Sequence, residues 1–233
     1  MNKLAPFFFA SAFAMSSATA QVAVSDSGTT TPTIGANDAG FIGDVIDTET
    51  NDGTTTIFDN WTTGPAGDGA RFGFNDGENF GQSFEFGSVA QVQSIFVAYN
   101  QFRNGQTITV DLDFNGVSVA TGLLLDGNNF SSANPGLSWM EFDISSQNIQ
   151  TVIGTNDFLL TATADSGPES FAFAPIYSRD GDYYADGAMT ASFTSGGLPN
   201  GSDLGFVVTT VPEPSTSILL LGSVFGLAML RRR

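Results

Sequence analysis

The sequence predicts an all-β protein whose body is a single antiparallel β-sandwich, and three observations carry that expectation. Apolar and polar residues alternate with period two through the body, turn clusters rich in Gly, Asn and Asp separate the alternating runs, and no convincing 3.6-residue apolar stripe occurs there. Short strands at that spacing suit a sandwich of roughly eight to eleven strands.

The first twenty residues lie outside that body. MNKLAPFFFASAFAMSSATA has a lysine near its start, an apolar stretch from Phe7 to Met15, and the small-x-small sequence Ala18-Thr19-Ala20 before Gln21. These parts occur in the order of a secretory signal peptide, with Ala18 and Ala20 as the signal peptidase site, so residues 1–20 are expected to be removed on export. Residues 21–39, rich in Thr, Ser and Gly, read as an extended leader or edge strand, and 40–210 as the sandwich domain.

Within the body, Thr107 to Phe114 is the clearest strand: Ile108, Val110, Leu112 and Phe114 fall on one face, and Thr107, Thr109, Asp111 and Asp113 on the other. The same alternation appears with Phe84 and Phe86 around Glu85, with Met140, Phe142 and Ile144 around Glu141 and Asp143, and with Phe171, Phe173, Met189 and Phe193. Phenylalanine is the main core residue. NDGT at 51–54, GPAGDG at 64–69, NDGEN at 75–79 and DSGP at 165–168 are the turns.

Residues 21–210 hold 23 acidic side chains against Arg71, Arg103 and Arg179, a net charge of −20. Nucleic acid and anionic lipid surfaces, both polyanions, are therefore excluded as charge-driven partners. The chain has no Cys and no His, which removes Ser-His-Asp and Cys-His catalysis, thiolate or imidazole zinc sites, and histidine switching. Carboxylate chemistry remains: oxygen ligation of calcium, or a glycosidase-type acid pair, the enzymatic alternative to a non-catalytic reading.

Two acidic motifs bear on calcium. Asp111-Leu-Asp113-Phe-Asn115-Gly116 matches the first six positions of an EF-hand-type loop, but Gly122 stands where a bidentate Glu is needed. Asn115-Gly116 between alternating runs is instead a two-residue hairpin signal, which leaves Asp111 and Asp113 on a solvated strand face. In Arg179-Asp-Gly-Asp-Tyr-Tyr-Ala-Asp-Gly187, Asp180, Asp182 and Asp186 share one loop, where they are either solvated turn residues or oxygen ligands for Ca2+. Trp61, in a turn-rich stretch, and Tyr183, in the acidic loop, are candidate stacking faces for a sugar ring; Trp139, inside a strand, is expected in the core.

The C-terminus is VPEPSTSILLLGSVFGLAMLRRR. Its apolar run from Ile218 to Leu230 spans 13 residues, which as a helix covers only about 20 Å of a hydrocarbon core about 30 Å thick. This order of parts resembles the C-terminal sorting signal of PEP-CTERM proteins: a motif at 211–215 around Pro212, Glu213 and Pro214, a short transmembrane helix at 217–230, and a basic stop at Arg231, Arg232 and Arg233. The resemblance implies an exosortase as processing partner, a transient stay in the inner membrane, and delivery to the cell surface or extracellular polymer. The prolines keep 211–215 extended, as a protease substrate must be, and the arginines hold the end on the cytoplasmic side. Without such an enzyme the segment would be a plain tail anchor.

Gly81-Gln-Ser-Phe84, Tyr184-Ala-Asp-Gly187 and Ser202-Asp-Leu-Gly-Phe206 resemble galactose-binding-like jelly-roll domains. That resemblance implies a jelly-roll form of the sandwich and a lectin-like contact with extracellular polysaccharide.

Overall fold

The computed structural model describes residues 21–30, 32–41, 69–71, 74, 76–102, 105–130, 138–165, 173–178, 184–192 and 203–211. Twelve strands run through them: β1 (Ala23–Gly28), β2 (Ala39–Phe41), β3 (Gly69–Arg71), β4 (Asn79–Phe86), β5 (Gln91–Phe102), β6 (Thr107–Phe114), β7 (Val117–Asp126), β8 (Ser138–Asp143), β9 (Gly154–Asp165), β10 (Phe173–Ser178), β11 (Met189–Ser192) and β12 (Phe206–Val211). The only helical turns among the described residues are two short 3-10 turns, Gly127–Asn129 and Ser145–Gln147. The chain is all-β. The strand count exceeds the expected range because β2, β3 and β11 have three or four residues each, too few for an alternation to register.

All pairings are antiparallel and form two sheets. One has seven strands: β8 lies between β1 and β5, and the other edge of β5 pairs first with β12, which carries β2, and then with β10, which carries β3. The second has the order β11-β4-β9-β6-β7.

Eight of these strands pair as the nested rungs of one long hairpin, β2 with β12, β4 with β9, β5 with β8 and β6 with β7. Successive rungs alternate between the two sheets, and the wrap is closed by β12 beside β5 and β9 beside β6. That is jelly-roll connectivity.

The core lies between the sheets. Ile108, Val110 and Leu112 of β6 are wholly buried and Phe114 almost so, which is the face assigned from the alternation. Phe84 of β4 and Phe158 of β9 meet Phe206 of β12 across the gap, with ring centroids 5.8 and 5.9 Å apart. Each such side chain taken from water contributes about 1.5–3 kcal/mol. Trp139 is fully buried in β8, as its strand setting implied.

Asn115 and Gly116 join β6 to β7, at the tip of the nested hairpin, and both have positive φ, 50° and 69°, as a type I′ turn requires. The Asn115 amide bonds the Asn156 side chain at 2.9 Å and accepts from the Asp157 N–H, locking the turn to β9. Asp111 is not simply solvated. Its carboxylate accepts from the Gly122 N–H at 2.7 Å, so the residue standing where a calcium loop needs its Glu is the one that Asp111 holds. Replacing Gly116 with Val should cost roughly 1 kcal/mol or more, read as a lower midpoint in urea unfolding, because a β-branched residue resists positive φ.

Candidate functional site

A buried polar cluster ties three separate segments at one edge of the sandwich. Gln82 of β4 is turned inward and almost wholly buried, and Asp203, just before β12, is wholly buried. The Gln82 Nε2 donates to Asp203 Oδ1 at 3.0 Å, and the Leu204 N–H donates back to Gln82 Oε1 at 2.9 Å. The second Asp203 oxygen, Oδ2, accepts from the Tyr184 N–H at 2.9 Å. One carboxylate thus holds a strand of one sheet, the approach to a strand of the other, and the loop that leads to β11.

Tyr184-Ala-Asp-Gly187 is a turn, closed by the Gly187 N–H donating to the Tyr184 carbonyl at 3.2 Å. It sets Ala188 against Ser83, with the Ser83 N–H donating to the Ala188 carbonyl at 3.0 Å and the Ala188 N–H to Ser83 Oγ at 2.9 Å. From there β11 continues along β4, Met189 opposite Gln82. Gly187 lies so close to Ser83 that a Cβ would overlap the Ser83 carbonyl oxygen. The three stretches singled out for their jelly-roll resemblance therefore meet in space, and what they build is a structural tie: both Asp203 oxygens are engaged by protein donors.

The Tyr184 ring packs edge-on to Phe206, 5.3 Å between centroids. Burial pushes its phenol up to about 12, with the charges of Asp186, Glu85 and Asp203 adding to the shift and a backbone hydrogen bond at Glu85 opposing it. Between pH about 10 and about 12 the unfolded phenol has lost its proton and the folded one keeps it, so stability falls as pH rises through that window. Tyr184→Phe should flatten this alkaline decline in a series of melting temperatures from pH 9 upward.

Of the residues predicted to act, Asp186 is described and stands exposed in the turn. Asp180, Asp182 and Tyr183 of its loop, Trp61, the export residues Ala18 and Ala20, the motif Pro212, Glu213 and Pro214, and Arg231, Arg232 and Arg233 lie outside the described residues. Among the described residues no group of three or more acidic side chains could hold a metal ion, and no helix is long and apolar enough to cross a membrane. Gln82 and Asp203 lie within the stretches that resemble jelly-roll domains, but residue type alone gives them no role; the burial of one carboxylate among many is visible only in three dimensions.

The end of β12 is the remaining feature. Thr210 is pinned there, its N–H donating to Asp38 Oδ1 at 2.8 Å and its hydroxyl to the Asn37 carbonyl at 2.6 Å, and Val211 pairs with Gln91. Comparison with protein families matches the segment that begins at this point. Residues 210–233 carry the PEP-CTERM protein-sorting motif. The PEP-CTERM match starts inside the last core strand, so Pro212 follows the folded body with no linker between them. No curated protein matches the chain.

Proposed function

We propose that this chain is an exported, non-catalytic β-sandwich protein that an exosortase sorts, through the PEP-CTERM signal, to the cell surface or exopolysaccharide matrix, where it has a structural role. The observation that carries this reading is the match over 210–233 set directly on the final strand of a jelly roll. A body of 23 acidic residues against 3 basic ones, with no cysteine, is soluble and self-repelling, as a surface component outside the cell can be. Export begins at the signal peptide, cut after Ala20. Contact with extracellular polysaccharide belongs to the same proposal, with the rings of Trp61 and Tyr183 as stacking faces.

The deciding experiment changes Pro212, Glu213 and Pro214 to Ala in the native host. The parent should lose its tail and leave the inner membrane; the variant should stay there at full length. Equal release of both, at the same mass by mass spectrometry, would sink the proposal.

A further inference from the structure

We infer that the body stands on the membrane in one orientation before it is processed, with a defined end of the sandwich, tipped by Val89, Val117, Val152 and Ile153, pressed against the lipid surface. This rests on the reading of the tail as a membrane-inserted sorting segment.

The strand register fixes which end that is. Ala23 pairs with Asp143, Asp143 with Ser94 and Ser94 with Thr209, so the start of β1 and the end of β12 lie on one row across the sheet. They are three strand spacings apart, about 14 Å. Both of the chain's apolar terminal segments therefore leave the body from the same end.

The tether is short. The apolar run begins at Ile218, seven residues beyond Val211, and seven residues reach at most about 25 Å even when fully extended. With the polar headgroup layer taking up about 5–8 Å of that reach, the end of the sandwich cannot stray far from the bilayer.

The loops at this end are built to present apolar side chains. Thr151 joins the 87–90 loop to the 148–153 loop, its hydroxyl donating to the Ser88 carbonyl at 3.0 Å and accepting from the Ala90 N–H at 2.9 Å. Asn156, 1% exposed, fixes the tip: its Oδ1 accepts from the Val152 N–H at 2.8 Å, and its Nδ2 donates to the Val152 and Gly154 carbonyls at 2.9 and 2.8 Å. That same amide meets Asn115, bringing in the β6–β7 turn. The clamped tips leave Ile153 72% exposed, Val117 58%, Val152 48% and Val89 43%. Val211, at the exit, is 44% exposed. Aliphatic residues held rigidly outward are what an interfacial contact uses, and the tether supplies a high local concentration of lipid. Asp143 and Asp157 are exposed near the same end, so the contact is apolar and favours neutral over anionic headgroups.

The absence of cysteine makes the test direct. Single cysteines at Ile153 and at Asn129, in the turn at the opposite end, carry a fluorophore in the full chain reconstituted into phosphatidylcholine vesicles, some with brominated acyl chains. The Ile153→Cys probe should lose its emission several-fold more than the Asn129→Cys probe, and added anionic lipid should weaken the difference. If the chain floats with the vesicles but both probes are quenched alike or neither is, the orientation is wrong while the tail reading stands. If the Ile153→Cys probe responds to protein concentration and not to the bromines, a second copy covers this end and the proposal fails. If the chain does not float at all, the membrane-inserted tail fails and the orientation falls with it.

Discussion

Asp203→Ala is expected to lower stability by about 3–5 kcal/mol, because it removes a buried carboxylate that accepts from both Gln82 and Tyr184. The Gln82 Nε2 and the Tyr184 N–H, now at 3.0 and 2.9 Å from its two oxygens, would be left without that acceptor, the first of them in the buried interior. For a body of this size the melting temperature should drop by roughly 10 °C. Asp203→Asn is the informative partner, since its amide keeps one oxygen as acceptor but offers a donor where the other oxygen was, so an intermediate loss is expected. Thermal unfolding followed by circular dichroism at neutral pH reads both. A change of under about 1 kcal/mol in Asp203→Ala would mean that water replaces the carboxylate, and the tie would then not be a principal support of the fold.

How far the fold could be read from the chain depended on whether each strand meets water. β6 has one face in the core and one outside, so its period-two pattern names both faces, and the Asn115-Gly116 turn beside it is legible from residue type because only a few residues accept positive φ. β5 is harder: Ser94 and Ile95 are both buried, as are Val97, Ala98 and Tyr99 in succession, so alternation fades in the strand at the centre of the larger sheet. Nor does alternation choose neighbours. That β12 lies beside β5, with Phe206 opposite Val97, follows from how the nested hairpin wraps, and no local pattern encodes it.

The site divides in the same way. The sorting signal is legible because its parts are consecutive and follow membrane physics, apolar then basic. The tie is not, because Gln82 and Asp203 are 121 residues apart and Asp203 is one acid among 23 in the body. Only burial separates it from a solvated aspartate such as Asp186.

Gly187→Ala should produce the other large loss, although a single methyl group is added. Outside tight contacts such a change often stabilises by about 0.4–1 kcal/mol, because it narrows the unfolded ensemble. Here the new Cβ would overlap the Ser83 carbonyl oxygen and lie 2.5 Å from the Ser83 carbonyl carbon, both backbone atoms in a paired strand. Rotamer changes cannot relieve that overlap, so the turn must move away from β4. Movement breaks the bonds between Ser83 and Ala188 and lifts β11 from its register with Gln82, Gly81, Phe80 and Asn79. A loss of about 3 kcal/mol is expected, with amide exchange accelerated first at Ala188 to Ser192. The double variant with Asp203→Ala should lose less than the sum of the two, because Asp203 holds the Tyr184 end of the turn that Gly187 seats at the other. Full additivity would show that the turn and the buried carboxylate are independent, and that the three sequence stretches meet in space without acting as one support.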